Sequence, residues 1–314
     1  MLFLHLYSTI HDLLYTQEVE DDEIETETSK EKNWNNMPWE MKEMIMMNMD
    51  IVTRARMKMC SKSDKYLAES TPLFLKNVEA VDANSFTEYH MRFTIDNIQV
   101  VLKPRVAVVN VIRNNATRTI THENRKNAID WTYKYFENIV FKGNIRVERF
   151  KFKWMNYPIA SFKSDYRIKV NKLIVEGVGS YSCSKWLQHF APCVNEFLLS
   201  NCELETNDIP NFNARNIKIS RATTARDYFR ILIQKWIDED YPIGSKLICD
   251  RFHSPDRYYP PTLEELFSDF VNSKYTKKSD DFMIKYVIEM EPKKYLVLGE
   301  DAINFLGYIT DKMP

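Results

Sequence analysis

Residues 34–67 read WNNMPWEMKEMIMMNMDIVTRARMKMCSKSDKYL, and this stretch constrains the reading of the chain more than any other. Met37, Met41, Met44, Ile45 and Met49 recur at helical spacing. Pro38 suits a first-turn position, where its missing N–H costs nothing, and Glu40 suits the positive end of the helix. Asp50 closes this helix and opens the next. There Val52, Ala55, Met57, Met59 and Cys60 alternate with Arg54, Arg56 and Lys58, which predicts a second short helix lying across the first. Under forty residues cannot bury a self-sufficient core, so the module needs a partner. Two readings of the methionine stripe follow. It is either the core of the module or an adaptable interface, since unbranched thioethers repack against a foreign surface.

The run Met37-Pro38-x-Glu40-Met41-x-x-x-Ile45-x-x-x-Met49-Asp50 resembles the F-box pattern: a Leu-Pro-x-Glu-Leu opening, an Ile one turn later and a Leu-Asp before the second helix. Met57-x-Met59-Cys60-Ser61-Lys62 is similar to the later leucine, valine, serine and basic residue of that pattern. Met stands at several Leu positions, and Asp64-Lys65 lies where many F-boxes carry a Trp. The wording MPWEMKEMI and MCSKSDKYL is similar to the nematode F-box proteins that carry a C-terminal FTH-type or leucine-rich-repeat-like domain. The resemblance implies a non-catalytic substrate receptor of a Skp1-cullin-F-box ubiquitin ligase, cytoplasmic or nuclear. Met37, Pro38, Met41, Ile45, Met49 and Ile51 would touch the Skp1-like adaptor, and the C-terminal domain would hold an unknown target protein.

Upstream, residues 1–33 hold nine acidic and two basic side chains, a local charge of −7. The block EVEDDEIETETSKEK at 18–32 is a self-repelling run that predicts a disordered arm. The apolar start MLFLHLYSTIHDLL lacks the basic flank and the cleavage site of a signal peptide. No run of about 20 apolar residues, the length needed to span a bilayer, occurs. The remaining 281 residues carry 41 basic against 35 acidic side chains, a surplus too mild to indicate nucleic acid by itself. A content of 44% hydrophobic and 13% aromatic residues is ample for a real core in one large domain or two small ones.

Downstream, the texture becomes strands. Phe74 to Val81 reads as a bridging helix or strand. Asp96 to Leu102 and Arg105 to Ile112 read as a hairpin about Lys103-Pro104. Asn114-Asn115 then turns the chain toward a helix from about Glu123 to Val140, burying Ile129, Tyr133, Phe136 and Val140. Strand segments at Val147–Phe152, Lys172–Glu176, Glu196–Leu199 and Asn216–Ile219 begin roughly 20 to 25 residues apart, within the leucine-rich-repeat period. Helices at Lys185–Ala191 and Ala225–Asp238 suit the spaces between. The corner Leu198-Leu199-Ser200-Asn201-Cys202 resembles the repeat's Leu-x-x-Asn/Cys turn, which the other segments lack. Leu247–Phe252 predicts another strand, Leu263–Phe270 a short helix, and Tyr286–Met290 with Tyr295–Leu298 a closing hairpin that caps the sheet edge. The aromatic run DRYYPP at 256–261 is a surface loop, either a docking surface or packed back on its own domain.

The expectation is an α+β chain: an arm at 1–33, a helical F-box at 34–71, and at 72–314 an irregular leucine-rich-repeat-like α/β domain with its strands stacked in a ladder. No enzyme signature stands out. Gly177-Val178-Gly179 lacks the third glycine of a dinucleotide fingerprint, Ser182 standing in its place, and a repeat turn explains it as well. The cysteines Cys60, Cys183, Cys193, Cys202 and Cys249 are scattered, and His189 lies among them without metal-ligand spacing. No metal and no cofactor is expected. The alternative function is a non-ligase scaffold that binds nucleic acid through interleaved basic and aromatic runs such as RFKFKW at 149–154.

Overall fold

The computed structural model describes residues 34–84, 89–140, 144–153, 167–177, 187, 189–190, 194–202, 214–221, 228–250, 262–268, 274–278, 282–301 and 303–314. The acidic arm, the Lys185–Ala191 helix apart from Leu187, His189 and Phe190, the DRYYPP loop, Cys183, Cys193 and the end of the glycine turn lie outside them. The chain divides into two compact units, Met1–Phe74 with Lys142–Ile145, and Leu75–Phe141 with Arg146–Pro314. The first holds short helices and the second a large mixed sheet, an α+β arrangement.

Alternation of buried and outward side chains over the C-terminal half of each strand builds the middle of the sheet. Strands β6 (Ile145–Lys153), β7 (Lys169–Glu176), β8 (Val194–Ser200), β9 (Ala214–Ser220) and β10 (Lys246–Asp250) pair in parallel, each with the next. In register, Phe150, Leu173, Phe197, Ile217 and Leu247 form one buried row, and Phe152, Val175, Leu199, Ile219 and Cys249 a second. All four expected segments are strands of this ladder.

The corner seen in the sequence at Ser200-Asn201-Cys202 recurs in the backbone at two other strand ends. Gly177, Asn201 and Arg221 follow β7, β8 and β9 with φ of 66°, 53° and 49°. Each donates its N–H to the end of the following strand, Gly177 to the Ser200 carbonyl (2.9 Å), Asn201 to the Ser220 carbonyl (3.1 Å) and Arg221 to Asp250 Oδ2 (3.3 Å). Only the Asn corner carries a sequence signature, because the left-handed conformation is filled by Gly, Asn and Arg in turn. Among the described residues, the expected helix between strands is present between β9 and β10, as the helix Tyr228–Asp238.

On one side of the ladder an antiparallel meander adds β1 (Leu73–Asn84), β2 (Tyr89–Ile95), β3 (Ile98–Lys103), β4 (Val108–Arg113) and β5 (Ala116–Thr121), with β1 beside β6. The expected β3–β4 hairpin forms through a short 3-10 turn at Pro104–Val106. Three readings are corrected. Arg105 and Val106 belong to the 3-10 turn, so the second strand of the hairpin begins at Val108. Asp96 belongs to the β2–β3 turn, with φ of 49°, so the strand begins at Ile98. Asn114-Asn115, with φ of 47° and 68°, makes a two-residue hairpin turn into β5 and not directly into a helix. Strand β5, ATRTIT, buries no residue and so lacks the alternation that marks a strand in sequence. The helix itself runs Arg125–Val140, and its Phe136 packs 4.6 Å from Phe93 and 6.3 Å from Phe150.

On the other side, β14 (Asn304–Thr310) joins β10 antiparallel, followed outward by β13 (Lys294–Glu300), β12 (Met283–Glu291) and β11 (Lys274–Lys278). The hairpin about Pro292-Lys293 forms as expected. It does not close the chain, because β14 returns to sit between β13 and β10, leaving β11 at the edge. Gly307 in β14 permits close packing with the helix Tyr228–Asp238: a Cβ there would lie 2.8 Å from Ile233 Cδ1. Ile233 is fully buried, so it has no room to yield. Gly307→Ala should therefore destabilise the sheet unit by about 1–3 kcal/mol through overpacking. A urea titration read by far-ultraviolet circular dichroism checks this, with Ile233→Val expected to relieve part of the loss in the double variant.

Candidate functional site

The helical unit opens with a 3-10 turn at Trp34–Asn36 and continues with three helices where the sequence suggested two: α1 (Trp39–Asn48), α2 (Ile51–Cys60) and α3 (Lys62–Ser70). Each start has a local cause. Pro38 stands one position earlier than expected, as the N-cap of α1. The Asp50 carboxylate accepts the N–H groups of Val52 and Thr53 at 2.8 Å and caps α2, as its position suggested. Ser61 breaks α2 from α3 and accepts the Asp64 N–H at 3.0 Å.

Asp64 is buried and satisfied. Its oxygens accept the Trp34 indole N–H at 2.8 Å and the Ser61 hydroxyl at 2.7 Å. An aromatic ring thus reaches this spot from the start of the module, and the Lys42 ammonium lies 5.7 Å from that ring. Beneath it, Met46, Leu67 and Ala68 form the core, with Trp34, Met49 and Met57 packed against them.

Arg54 fixes the ends of the helices. It is 4% exposed, and its guanidinium donates from Nε to the Met46 carbonyl (2.9 Å) and from its terminal nitrogens to the carbonyls of Thr71 (2.8 Å) and Pro72 (2.6 Å). These carbonyls lie at or just beyond helix C-terminal ends, where partial negative charge collects. Burial pulls the Arg54 pKa below the ordinary arginine value. In the sequence Arg54 stands only as one of three basic residues interleaved with the apolar ones, and its role does not show there because a buried arginine paired with main chain has no sequence signature.

The result is a two-faced α1. Met46 is 0% exposed, while Met41, Met44 and Ile45 are 47%, 57% and 38% exposed. Met41, Met44, Ile45, Asn48 and Met49 line a shallow open depression on that outer face. Of the residues implied as partner contacts, Met41, Ile45 and Met49 are therefore gathered into one patch. Met37 and Ile51 are half-buried and Pro38 exposed, all outside its lining. Met44, absent from that set, is the most exposed of the lining methionines whose exposure decides the patch. Exposed Trp39 and Tyr66 form a separate aromatic pair, ring centroids 6.1 Å apart.

Elsewhere, Cys60 is exposed and Cys202 and Cys249 are buried, none of the three in a disulfide, and burial pushes the Cys249 thiol up to about 12. Among the described residues, no three His, Cys, Asp or Glu side chains are placed to share a metal ion, and no helix is long and apolar enough to cross a membrane.

Comparison with known proteins places a family on this unit. Residues 34–76 match the F-box domain, which supports an F-box protein. No curated protein and no solved structure matches the chain.

The anchoring role of Arg54 is open to measurement. Arg54→Met should destabilise the helical unit by at least about 2 kcal/mol, since it strands three main-chain acceptors that lose a charged donor. Arg54→Lys should recover little, because a single ammonium cannot meet a planar three-carbonyl arrangement. Urea unfolding followed by tryptophan fluorescence reads both.

Proposed function

We propose that this protein is the substrate-recognition subunit of a Skp1-cullin-F-box ubiquitin ligase, without catalytic chemistry of its own. The observation that carries the reading is the division of α1: Met46 is sealed in the core, while Met41, Met44 and Ile45 lie open on the opposite face. A soluble helix that keeps an apolar patch uncovered is an interaction site in waiting. The F-box match over residues 34–76 supports a Skp1-like adaptor as the occupant. The methionines suit the role because flexible thioethers adapt to the adaptor's groove. Met37, Pro38 and Ile51 would extend the contact at its margins.

The sheet unit would hold the target, and ubiquitin transfer would be accelerated by holding target and charged E2 together. Its reading as an FTH-type or leucine-rich-repeat-like domain is part of this proposal, and the parallel ladder with left-handed residues at three strand ends is what supports the repeat-like part of it. On the outward face the ladder offers, in register, half-buried Ile174 and Leu198 between Lys151 and Lys218, with half-buried Ile248 beyond Lys218.

The nucleic-acid reading has less support. In the run Arg149–Lys153 both Phe150 and Phe152 are 0% exposed, so neither presents a ring for base stacking. Lys151 and Lys153 both pair with Glu176, at 3.3 and 2.8 Å, and these contacts hold the Glu176 carboxyl below the usual range. The FKFK pattern is that of an amphipathic strand.

Two adjacent substitutions separate interface from core. Ile45→Asp should abolish co-purification with Skp1 while leaving the thermal midpoint within a few degrees of the wild type, because the carboxylate stays in water until docking would bury it. Met46→Asp should unfold the helical unit outright. Skp1 recovered undiminished with a folded Ile45→Asp protein contradicts the proposal.

A further inference from the structure

Eight of the fourteen methionines, Met37, Met41, Met44, Met46, Met47, Met49, Met57 and Met59, fall within residues 37–59. Leucine would pack a docking helix as well, yet the outer face of α1 is built from thioethers. Their accessibility is graded over one turn and a half, with Met44 57% exposed, Met41 47% and Met46 0%. A thioether reacts with peroxide where a hydrocarbon does not, and its reactivity follows exposure.

We infer that Met41 and Met44 make adaptor docking sensitive to peroxide, an inference that rests on reading the outer face of α1 as the Skp1 contact. In the step, the sulfur lone pair attacks one oxygen of hydrogen peroxide and the O–O bond breaks. The sulfur, oxidised by two electrons, keeps that oxygen as a sulfoxide, and the peroxide is reduced to water. The product is a polar, strongly hydrogen-bond-accepting group on a face that docking must dehydrate. Burying such a group without a donor is costly. The neighbouring Asn48 amide already uses one of its two Nδ2 hydrogens on the Met44 carbonyl at 2.8 Å, which leaves it one donor for two sulfoxides. Docking would also cover both sulfurs, so the modification acts on the free receptor and keeps it free. Met46, sealed in the core, is protected, so oxidation confined to Met41 and Met44 alters the face and leaves the core methionine beneath it intact.

The test uses the full-length protein alone, treated with hydrogen peroxide, cleared with catalase and then titrated with untreated recombinant Skp1. Peptide mass spectrometry should find oxygen added at Met44 and Met41 well before Met46. Affinity should fall about tenfold or more, and methionine sulfoxide reductase should restore it. Met41→Leu/Met44→Leu, whatever its own starting affinity, should change less than threefold on the same treatment. Three results overturn the inference while leaving the docking proposal standing: no oxidation at Met41 and Met44, unchanged affinity with both oxidised, or an equal fall in the double variant. Failure of the untreated wild-type protein to bind Skp1 removes the docking proposal itself, and the inference with it.

Discussion

The buried Arg54 guanidinium is the constraint on which the helical unit depends. It reaches the last turn of α1 through the Met46 carbonyl and the chain after α3 through those of Thr71 and Pro72. A flat, delocalised cation can satisfy several acceptors at once in a fixed geometry, which a flexible ammonium cannot. Fixing the end of α1 fixes its rotation, and the rotation decides which methionines point inward. Met46 goes to the core with Leu67 and Ala68, and Met41, Met44 and Ile45 are left outside. The exposed apolar patch of the unit is a consequence of that choice, because an apolar helix can display a patch only if another part of it is held down.

The sheet unit answers to a different constraint. Its parallel strands must each end where the next one can accept a corner hydrogen bond, and the left-handed residues Gly177, Asn201 and Arg221 meet this at three successive ends. The buried rows through Phe150 and Phe152 then run unbroken across five strands. The antiparallel strands on both sides extend this ladder and bury it no less: Phe93 under the helix Arg125–Val140 and Leu296 in β13 are as enclosed as Phe150.

What the sequence disclosed tracks how directly a physical need writes itself into residue types. The four ladder strands, the Tyr228–Asp238 helix and the Asp50 cap follow from periodicity or from one side chain doing one job. The exposed strand β5 and the Gly-containing β14 escaped because neither shows alternation over its length. At the site, the helical spacing of Met41, Ile45 and Met49 was legible, but the division of α1 was not. With Met at 41, 44, 46, 47 and 49 the helix is apolar on most sides, and no pattern of hydrophobicity singles out Met46 as the inward residue. The information lies in Arg54, whose role is set by three carbonyls that no sequence motif announces. Asp64 is a similar case, its partner Trp34 lying 30 residues away.

The central claim is that α1 turns one face to its own chain and the other to Skp1. Methyl nuclear magnetic resonance tests this directly, with the methionine ε-methyl groups labelled in the full-length protein and unlabelled Skp1 added. The account predicts that the Met41 and Met44 signals shift or broaden on titration while that of Met46 stays where it was. Perturbation of Met46 with Met41 and Met44 unmoved, or no perturbation at all, would contradict it.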